Sequence, residues 1–238
     1  MLFCLAFVCC SYAYGQFSGS IRTEIRGRTL DTNTVVYDEQ GNALRYYQYE
    51  KLLNSGDYGI KGIPSTDGSG MKYYITKISQ QENFRRFEAI KQLMTIKSPL
   101  LHEGMELDVT PLLNVINRKD LDNKVVVLVF WNTGCPPCTE SFASLNQFFT
   151  QIYNPDHIAV IAITPDDEKI ALAKLKEKPL VNARLLTNAG DIIHYYQLND
   201  YPSYVVTDKD HIIRFALSGI SPVTISNFKS TIRQVLIQ

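Results

Sequence analysis

The sequence predicts an α/β protein: a mixed sheet covered by helices on both faces, preceded by a small α+β unit. Three observations carry that expectation. The first is an unbroken apolar run, Val125 to Phe130, which suits a central strand buried on both sides. The second is order, since strand-like and helix-like segments follow one another from that run as β-α-β-α-(α)-β-β-α. The third is a change of character near residue 98, because residues 16–98 hold no cysteine and no nameable chemical motif. The expected division is 1–15 leader, 16–98 small α+β unit of unknown role, 99–238 main domain.

In the first unit, Ser20 to Leu30 alternates like a strand and Thr34 to Tyr37 forms another short one. Asp38 to Asn42 is a turn, Leu44 to Leu53 has helical spacing, and Ser55-Gly56-Asp57 stops it. Tyr58 to Ile63 and Met71 to Ile78 read as strands around the loop Pro64 to Gly70. Gln81 to Met94 reads as an amphipathic helix with Phe84, Phe87, Ala89, Ile90, Leu93 and Met94 on its stripe. In the second unit, Pro136 to Tyr153 is a helix with Phe142, Leu145, Phe148, Phe149 and Ile152 facing inward. Ile158 to Ile163 is the next strand, followed by helix Asp166 to Lys178 and a short helix Asp191 to Tyr196. Strands Ser203 to Thr207 and Ile212 to Leu217 join at Asp208-Lys209-Asp210, and Ser221-Pro222 opens the last helix.

Composition narrows the function. The 238 residues carry 24 basic and 24 acidic side chains, so zero net charge gives no argument for nucleic acid or an anionic membrane. Met1 to Gly15 has no charged side chain, and its apolar stretch Leu2 to Val8 is too short to span a bilayer. Ala13 and Gly15 suit positions −3 and −1 of a signal-peptide cleavage before Gln16, although a positive leading region is missing. A buried N-terminal segment of a cytosolic protein is the alternative. Lipid anchoring through Cys9 or Cys10 fits less well, because Phe7 and Val8 are bulky for that motif.

Export removes Cys4, Cys9 and Cys10 and leaves Cys135 and Cys138. Such a pair is a disulfide or a working dithiol. No second CxxC accompanies it, and His102, His157, His194 and His211 show no ligand spacing to it, so no metal and no cofactor are expected. Cys135 opens a helix, where unpaired amides and the helix dipole favour a thiolate. That makes Cys135 the attacking sulfur and Cys138, one turn on, the resolving one. Pro136 and Pro137 are tolerated there because first-turn residues need no intrahelical N–H bond.

The segment Phe130-Trp131-Asn132-Thr133-Gly134-Cys135-Pro136-Pro137-Cys138 resembles the active site of the thioredoxin superfamily. It is most similar to the exported TlpA/ResA-like thiol-disulfide oxidoreductases, which overlap with AhpC/TSA-type domains. The resemblance covers about Leu107 to Gln238 and implies a thioredoxin-like sheet. It implies that Tyr201-Pro202 carries a cis-proline lying against the dithiol and receiving the client chain. Gly219 and Asp166 match recurring positions. An unrelated N-terminal unit ahead of such a domain resembles an arrangement common in Bacteroidetes-type bacteria. The resemblance also implies a periplasmic location, protein thiols and disulfides as partners, a membrane-bound electron donor, and a monomer or weak dimer.

Departures accompany the match. No acid occurs within Val125 to Trp131, Gly134 replaces the usual tryptophan, and Thr139 replaces a common basic residue. A family glutamate shortly after the second cysteine has only Glu140 or Ser141 as counterparts. Adjacent helix positions point about 100° apart, so Glu140 is expected to face solvent. The site thus lacks an obvious base for Cys138. Two other functions stay open: a binding or assembly protein with a degenerate redox site, and a thiol peroxidase. For the latter, Asn132 stands where a threonine is expected, and Arg184 and Arg214 lack a surrounding motif.

Overall fold

The computed structural model describes residues 32–66, 68 and 70–237. The expected leader and the strand Ser20 to Leu30 lie outside the described residues. Strands β1 (Val36–Tyr37) and β2 (Ala43–Leu44) flank the turn built by Asp38, whose carboxylate accepts from the amides of Gln40 and Asn42 at 2.9 and 2.8 Å. Helix α1 (Tyr46–Asn54) starts later than the apolar spacing suggests, because Leu44 is paired with Val36 in the sheet. Strands β3 (Tyr58–Pro64) and β4 (Met71–Lys77) are antiparallel, and the four strands lie in the order β2-β1-β4-β3.

Helix α2 (Gln80–Met94) is capped by the Ser79 hydroxyl, which accepts from the Glu82 amide. Only part of its expected stripe is used. Phe87 is buried, whereas Phe84 and Leu93 are 60% and 83% exposed. The reason lies outside the helix: Phe87 stacks on Phe215 of the larger sheet, with ring centroids 6.3 Å apart, and that contact sets which face is covered.

The chain then runs through 3-10 turns at Thr110–Leu112 and Arg118–Asp120. There follow β5 (Val125–Phe130), α3 (Pro136–Ile152), β6 (Ile158–Ile163), α4 (Glu168–Glu177), β7 (Arg184–Leu186), α5 (Gly190–Tyr195), β8 (Ser203–Thr207), β9 (Ile213–Ser218) and α6 (Pro222–Leu236). The sheet order is β7-β6-β5-β8-β9. Strands β5, β6 and β7 are parallel, while β8 and β9 run antiparallel to their neighbours. This is a thioredoxin-like mixed sheet flanked by helices. Strand β7 was not expected, since three residues are too few for periodicity to show.

Alternation along β5 feeds two cores. Val125, Val127 and Val129 pack with Phe142, Phe149, Phe228 and Ile232 on one face. Val126, Leu128 and Phe130 pack with Leu112, Leu121, Ile193 and Tyr196 on the other. Each fully buried side chain of this size contributes about 1.5–3 kcal/mol. The connector after α2 covers the edge of β9: the Ile96 amide donates to the Ala216 carbonyl at 3.4 Å and the Ile213 amide to that of Met105 at 2.7 Å. Residues from Val35 onward thereby form one compact unit containing both sheets. Among the described residues, no helix is long and apolar enough to cross a membrane.

Candidate active site

Strand β5 leads straight into the site. Trp131 continues it, fully buried, with its amide donating to the Ile163 carbonyl at 3.0 Å. Asn132 to Gly134 turn the chain outward, and Cys135 becomes the N-cap of α3. Its sulfur accepts from the Cys138 amide at 3.2 Å, so one first-turn donor of the helix already points at it. Pro136 and Pro137 occupy the first helical positions and are exposed. Cys135 and Cys138 are joined in a disulfide. Cys135 is 9% exposed and Cys138 is 0% exposed, so an incoming sulfur meets Cys135 first.

Asp166 pins the approach to that helix. Its carboxylate accepts the Thr133 amide at 2.6 Å and the Thr164 hydroxyl at 3.2 Å. On the other side, the Tyr201–Pro202 bond is cis, and the Pro202 carbonyl accepts the Gly219 amide at 2.7 Å. Ser203 is paired with both Phe130 and Ser218, which brings Pro202 beside the end of β5 and beside Gly219. Gly219 has φ +81°, which a residue with a Cβ adopts only under strain. Tyr201 is half-buried; burial, and then the charge of Asp166, push its phenol pKa up.

Behind the disulfide sits a pair of hydroxyls. Ser141 donates to the Cys138 carbonyl at 2.6 Å and accepts from the Tyr204 phenol at 2.9 Å. Both residues are buried, and burial pushes the Tyr204 phenol far above its ordinary range, against the opposing hydrogen bond to Ser141. Glu140, one position earlier, is exposed. The Trp131 indole N–H is buried without an acceptor among the described residues, and its ring meets Phe142 edge-on at 5.4 Å.

The fold thus gathers Trp131, Cys135, Pro136, Pro137, Cys138, Ser141, Tyr201 and Pro202 at one end of the sheet and leaves Glu140 on the outer face of α3. Sequence reasoning missed Tyr204 as a polar partner. The available signal was alternation, which places it with Val206 on the face of β8 that packs with Phe142 of α3. Arg184 and Arg214 are engaged elsewhere, with Asp120 at 3.4 Å and Asp208 at 2.7 Å. His157 and His194 are exposed, and no cluster of metal-binding side chains occurs among the described residues.

A CxxC disulfide at a helix N-terminus, at the same end of a mixed sheet as a cis-proline, is a thioredoxin-like arrangement. Comparison with known proteins agrees with that class. The AhpC/TSA family model matches residues 106–216. The chain is 30% identical over 96 residues to the thiol-disulfide oxidoreductase ResA of Bacillus thuringiensis subsp. konkukian, covering 40% of this chain and 55% of that one. It is 23% identical over 101 residues to ResA of Geobacillus kaustophilus, covering 42% and 58%. The chain therefore spans about half the length of the curated relatives it matches. The solution structure of a Bacteroides thetaiotaomicron protein, described as a candidate protein disulfide isomerase, superposes with TM-score 0.50 at 16% identity, covering 61% of this chain and 94% of that one. Together these show a thioredoxin-like fold, similar to that of ResA and of AhpC/TSA proteins over the matched residues, carrying a Cys-x-x-Cys disulfide.

Proposed function

We propose that this chain is a thiol-disulfide oxidoreductase that exchanges electrons with protein disulfides through Cys135 and Cys138. The observation that carries the proposal is the disulfide itself, with Cys135 9% exposed on a helix N-terminus and Cys138 fully enclosed. In the oxidised form a client thiolate attacks Cys135 Sγ, the Cys135–Cys138 bond breaks, and Cys138 leaves as a thiolate that takes up a proton. A second client thiolate attacks the client sulfur of the mixed disulfide and releases Cys135 as a thiolate. Two electrons have then moved from the client to the protein, and every step runs in reverse when the reduced protein meets a client disulfide.

In this mechanism Pro202 and Tyr201 receive the client chain, Trp131 backs the disulfide, Pro136 and Pro137 shape its ring, and Ser141 holds the first turn of α3. Glu140 has no part in the exchange. We place the protein in the periplasm, exported by residues 1–15, serviced by a membrane-bound donor and acting as a monomer or weak dimer. We assign residues 16–98 to a Bacteroidetes-type N-terminal module ahead of the redox domain at 99–238. Support for the location is the similarity to ResA and the short apolar stretch Leu2 to Val8 followed by Ala13 and Gly15.

The test is exchange with a disulfide-bonded client. Cys135→Ala is expected to abolish it, and Cys138→Ala to accumulate client-linked mixed disulfide. Turnover that survives Cys135→Ala would sink the proposal. Client captured without a disulfide link, equally by the variant lacking both Cys135 and Cys138, would point instead to a binding protein.

A further inference from the structure

Opening the disulfide leaves a charge on an enclosed sulfur. When a thiolate attacks Cys135 Sγ, the bonding electron pair departs with Cys138, whose side chain is shut away from water. A buried thiolate is costly to form unless a donor meets it. Glu140 is exposed, and the Thr139 hydroxyl is held by the Pro136 carbonyl at 3.2 Å. The Trp131 indole N–H is buried without an acceptor among the described residues, and no bond ties it to either cysteine. The Ser141 hydroxyl is different, since its oxygen already lies 2.6 Å from the Cys138 carbonyl oxygen. Cys138 and Ser141 stand one turn apart in α3, which puts their Cβ atoms on one face about 5–6 Å from each other. A helical side chain also leans back over the turn before it, here toward Cys138. Both residues are buried, so they share the same interior.

That hydroxyl changes partners at little cost. Inside α3 the Cys138 carbonyl also receives the Phe142 amide, so it keeps a donor when Ser141 turns away. The Tyr204 phenol donates to the Ser141 oxygen at 2.9 Å from β8, a separate element, and fixes that oxygen while its hydrogen rotates. Burial holds the phenol protonated far above its ordinary range, so it remains a donor throughout. We infer that Ser141 is a further catalytic residue and Tyr204 its positioning residue: as the disulfide opens, the Ser141 hydrogen turns from the Cys138 carbonyl to Cys138 Sγ and holds the departing thiolate. No proton is transferred in that turn. The electron pair of the broken S–S bond rests on Cys138 Sγ under one O–H donor until solvent supplies a proton. In reverse, the same donor favours the Cys138 thiolate that attacks Cys135 Sγ of a mixed disulfide and expels the client. The inference rests on the oxidoreductase reading above, because only exchange brings Cys138 to a thiolate. A neutral donor of this kind stabilises the thiolate without itself titrating, as a carboxylate would.

Titration of the reduced protein tests this, with isotope-labelled cysteine read by its Cβ chemical shift and Cys135→Ala assigning the two resonances. Losing a hydrogen bond to the charged form raises a thiol pKa. Ser141→Ala is therefore expected to lower the Cys138 thiolate fraction at neutral pH about tenfold, and to slow release of client from the mixed disulfide by a similar factor. Tyr204→Phe is expected to act in the same direction by less, because Ser141 keeps its hydrogen. Ser141→Thr keeps the hydroxyl and is expected to keep the wild-type Cys138 titration. The Cys135 titration is expected to stay in place in all three. A Cys138 titration untouched by Ser141→Ala overturns the inference. So does an equal rise at Cys135, which is what a loosened first turn of α3 produces. If Ser141→Ala does not fold, Tyr204→Phe carries the test, and an unmoved Cys138 pKa in that variant overturns the inference. The titration needs no client, so these results bear on the inference alone. Exchange of wild type with a disulfide-bonded client is scored separately, and its absence sinks the oxidoreductase reading and the catalytic role of Ser141 with it.

Discussion

Ser141 spends its single proton on the Cys138 carbonyl and its lone pairs on Tyr204. Removing the serine hydroxyl leaves the Tyr204 phenol buried without an acceptor, whereas removing the phenol leaves Ser141 still bonded. The two substitutions should therefore be unequal. Ser141→Ala is expected to destabilise the oxidised protein by about 1–3 kcal/mol and Tyr204→Phe by about 0.5–1.5 kcal/mol. The double variant should cost less than the sum, and urea unfolding of all four proteins measures the coupling. Additive losses would mean that the two hydroxyls do not act as a unit. Asp166 acts on the other side of the disulfide, holding Thr133 through a charge-assisted bond. Asp166→Ala frees the loop ahead of Cys135, and a loss of about 1.5–3 kcal/mol with faster amide exchange at Thr133 is the expected outcome. The Cys135–Cys138 disulfide and the cis bond before Pro202 were legible in the sequence because each is carried by residue type within a short motif. The Ser141–Tyr204 pair was not, because a serine and a tyrosine separated by 63 positions become partners only when α3 is laid on β8.

Helices and strands were legible where one element decides its own exposure. Strand β5 announced its double burial by six consecutive apolar residues, and α3 buried Phe142, Leu145, Phe148 and Phe149 as its period requires. Helix α2 was read less well, since its covered face follows from Phe215 and α6, which its own period does not contain. How the segment before residue 95 is joined to the larger sheet was also invisible. Gly56, at φ +80°, lies so close to α6 that an added Cβ would sit 1.7 Å from the Pro222 carbonyl oxygen. Gly56→Ala combines an unfavourable left-handed backbone with a clash, and a loss of about 3 kcal/mol in chemical denaturation is expected. Beside it, Ser226 links Asp57 at 3.0 Å to Asn83 at 2.7 Å, and Lys229, 9% exposed, donates to Ser144 at 2.9 Å. Burial pushes the Lys229 pKa down, Asp57 opposes that, and Arg233 adds to it. The unfolded chain then binds the proton more tightly, so this lysine makes stability rise with pH up to its unfolded value of about 10.4. Lys229→Met should remove that rise, read as a smaller gain in urea midpoint than wild type shows as the pH is raised toward about 10.4. An identical gain would mean that the ammonium is as well solvated folded as unfolded.

At the scale of the whole molecule, the disulfide and the fold are two sides of one thermodynamic cycle. The difference in unfolding free energy between oxidised and reduced protein equals the difference in redox free energy between the folded site and the unfolded dithiol. Two physical effects compete. Closing a four-residue loop in the unfolded chain favours the oxidised fold by about 2 kcal/mol on the loop-entropy scale, less here because two prolines already stiffen it. Against this, reduction frees a Cys135 thiolate at the α3 N-terminus, where the helix and the Cys138 amide stabilise charge by about 0.3–1 kcal/mol. No carboxylate is hydrogen-bonded to either sulfur among the described residues, so the thiolate gains nothing further from a paired acid and base. The loop effect is the larger. We expect the oxidised protein to unfold at higher denaturant than the reduced protein, by about 1 kcal/mol, equivalent to about 20 mV toward the reducing side of the unfolded dithiol. Paired urea titrations with and without dithiothreitol measure it, with the fluorescence of Trp131, the chain's single tryptophan, as signal. That outcome makes the folded dithiol a stronger reductant than the unfolded one. A reduced form more stable than the oxidised one reverses the sign of the cycle and makes the folded disulfide a stronger oxidant than the unfolded one.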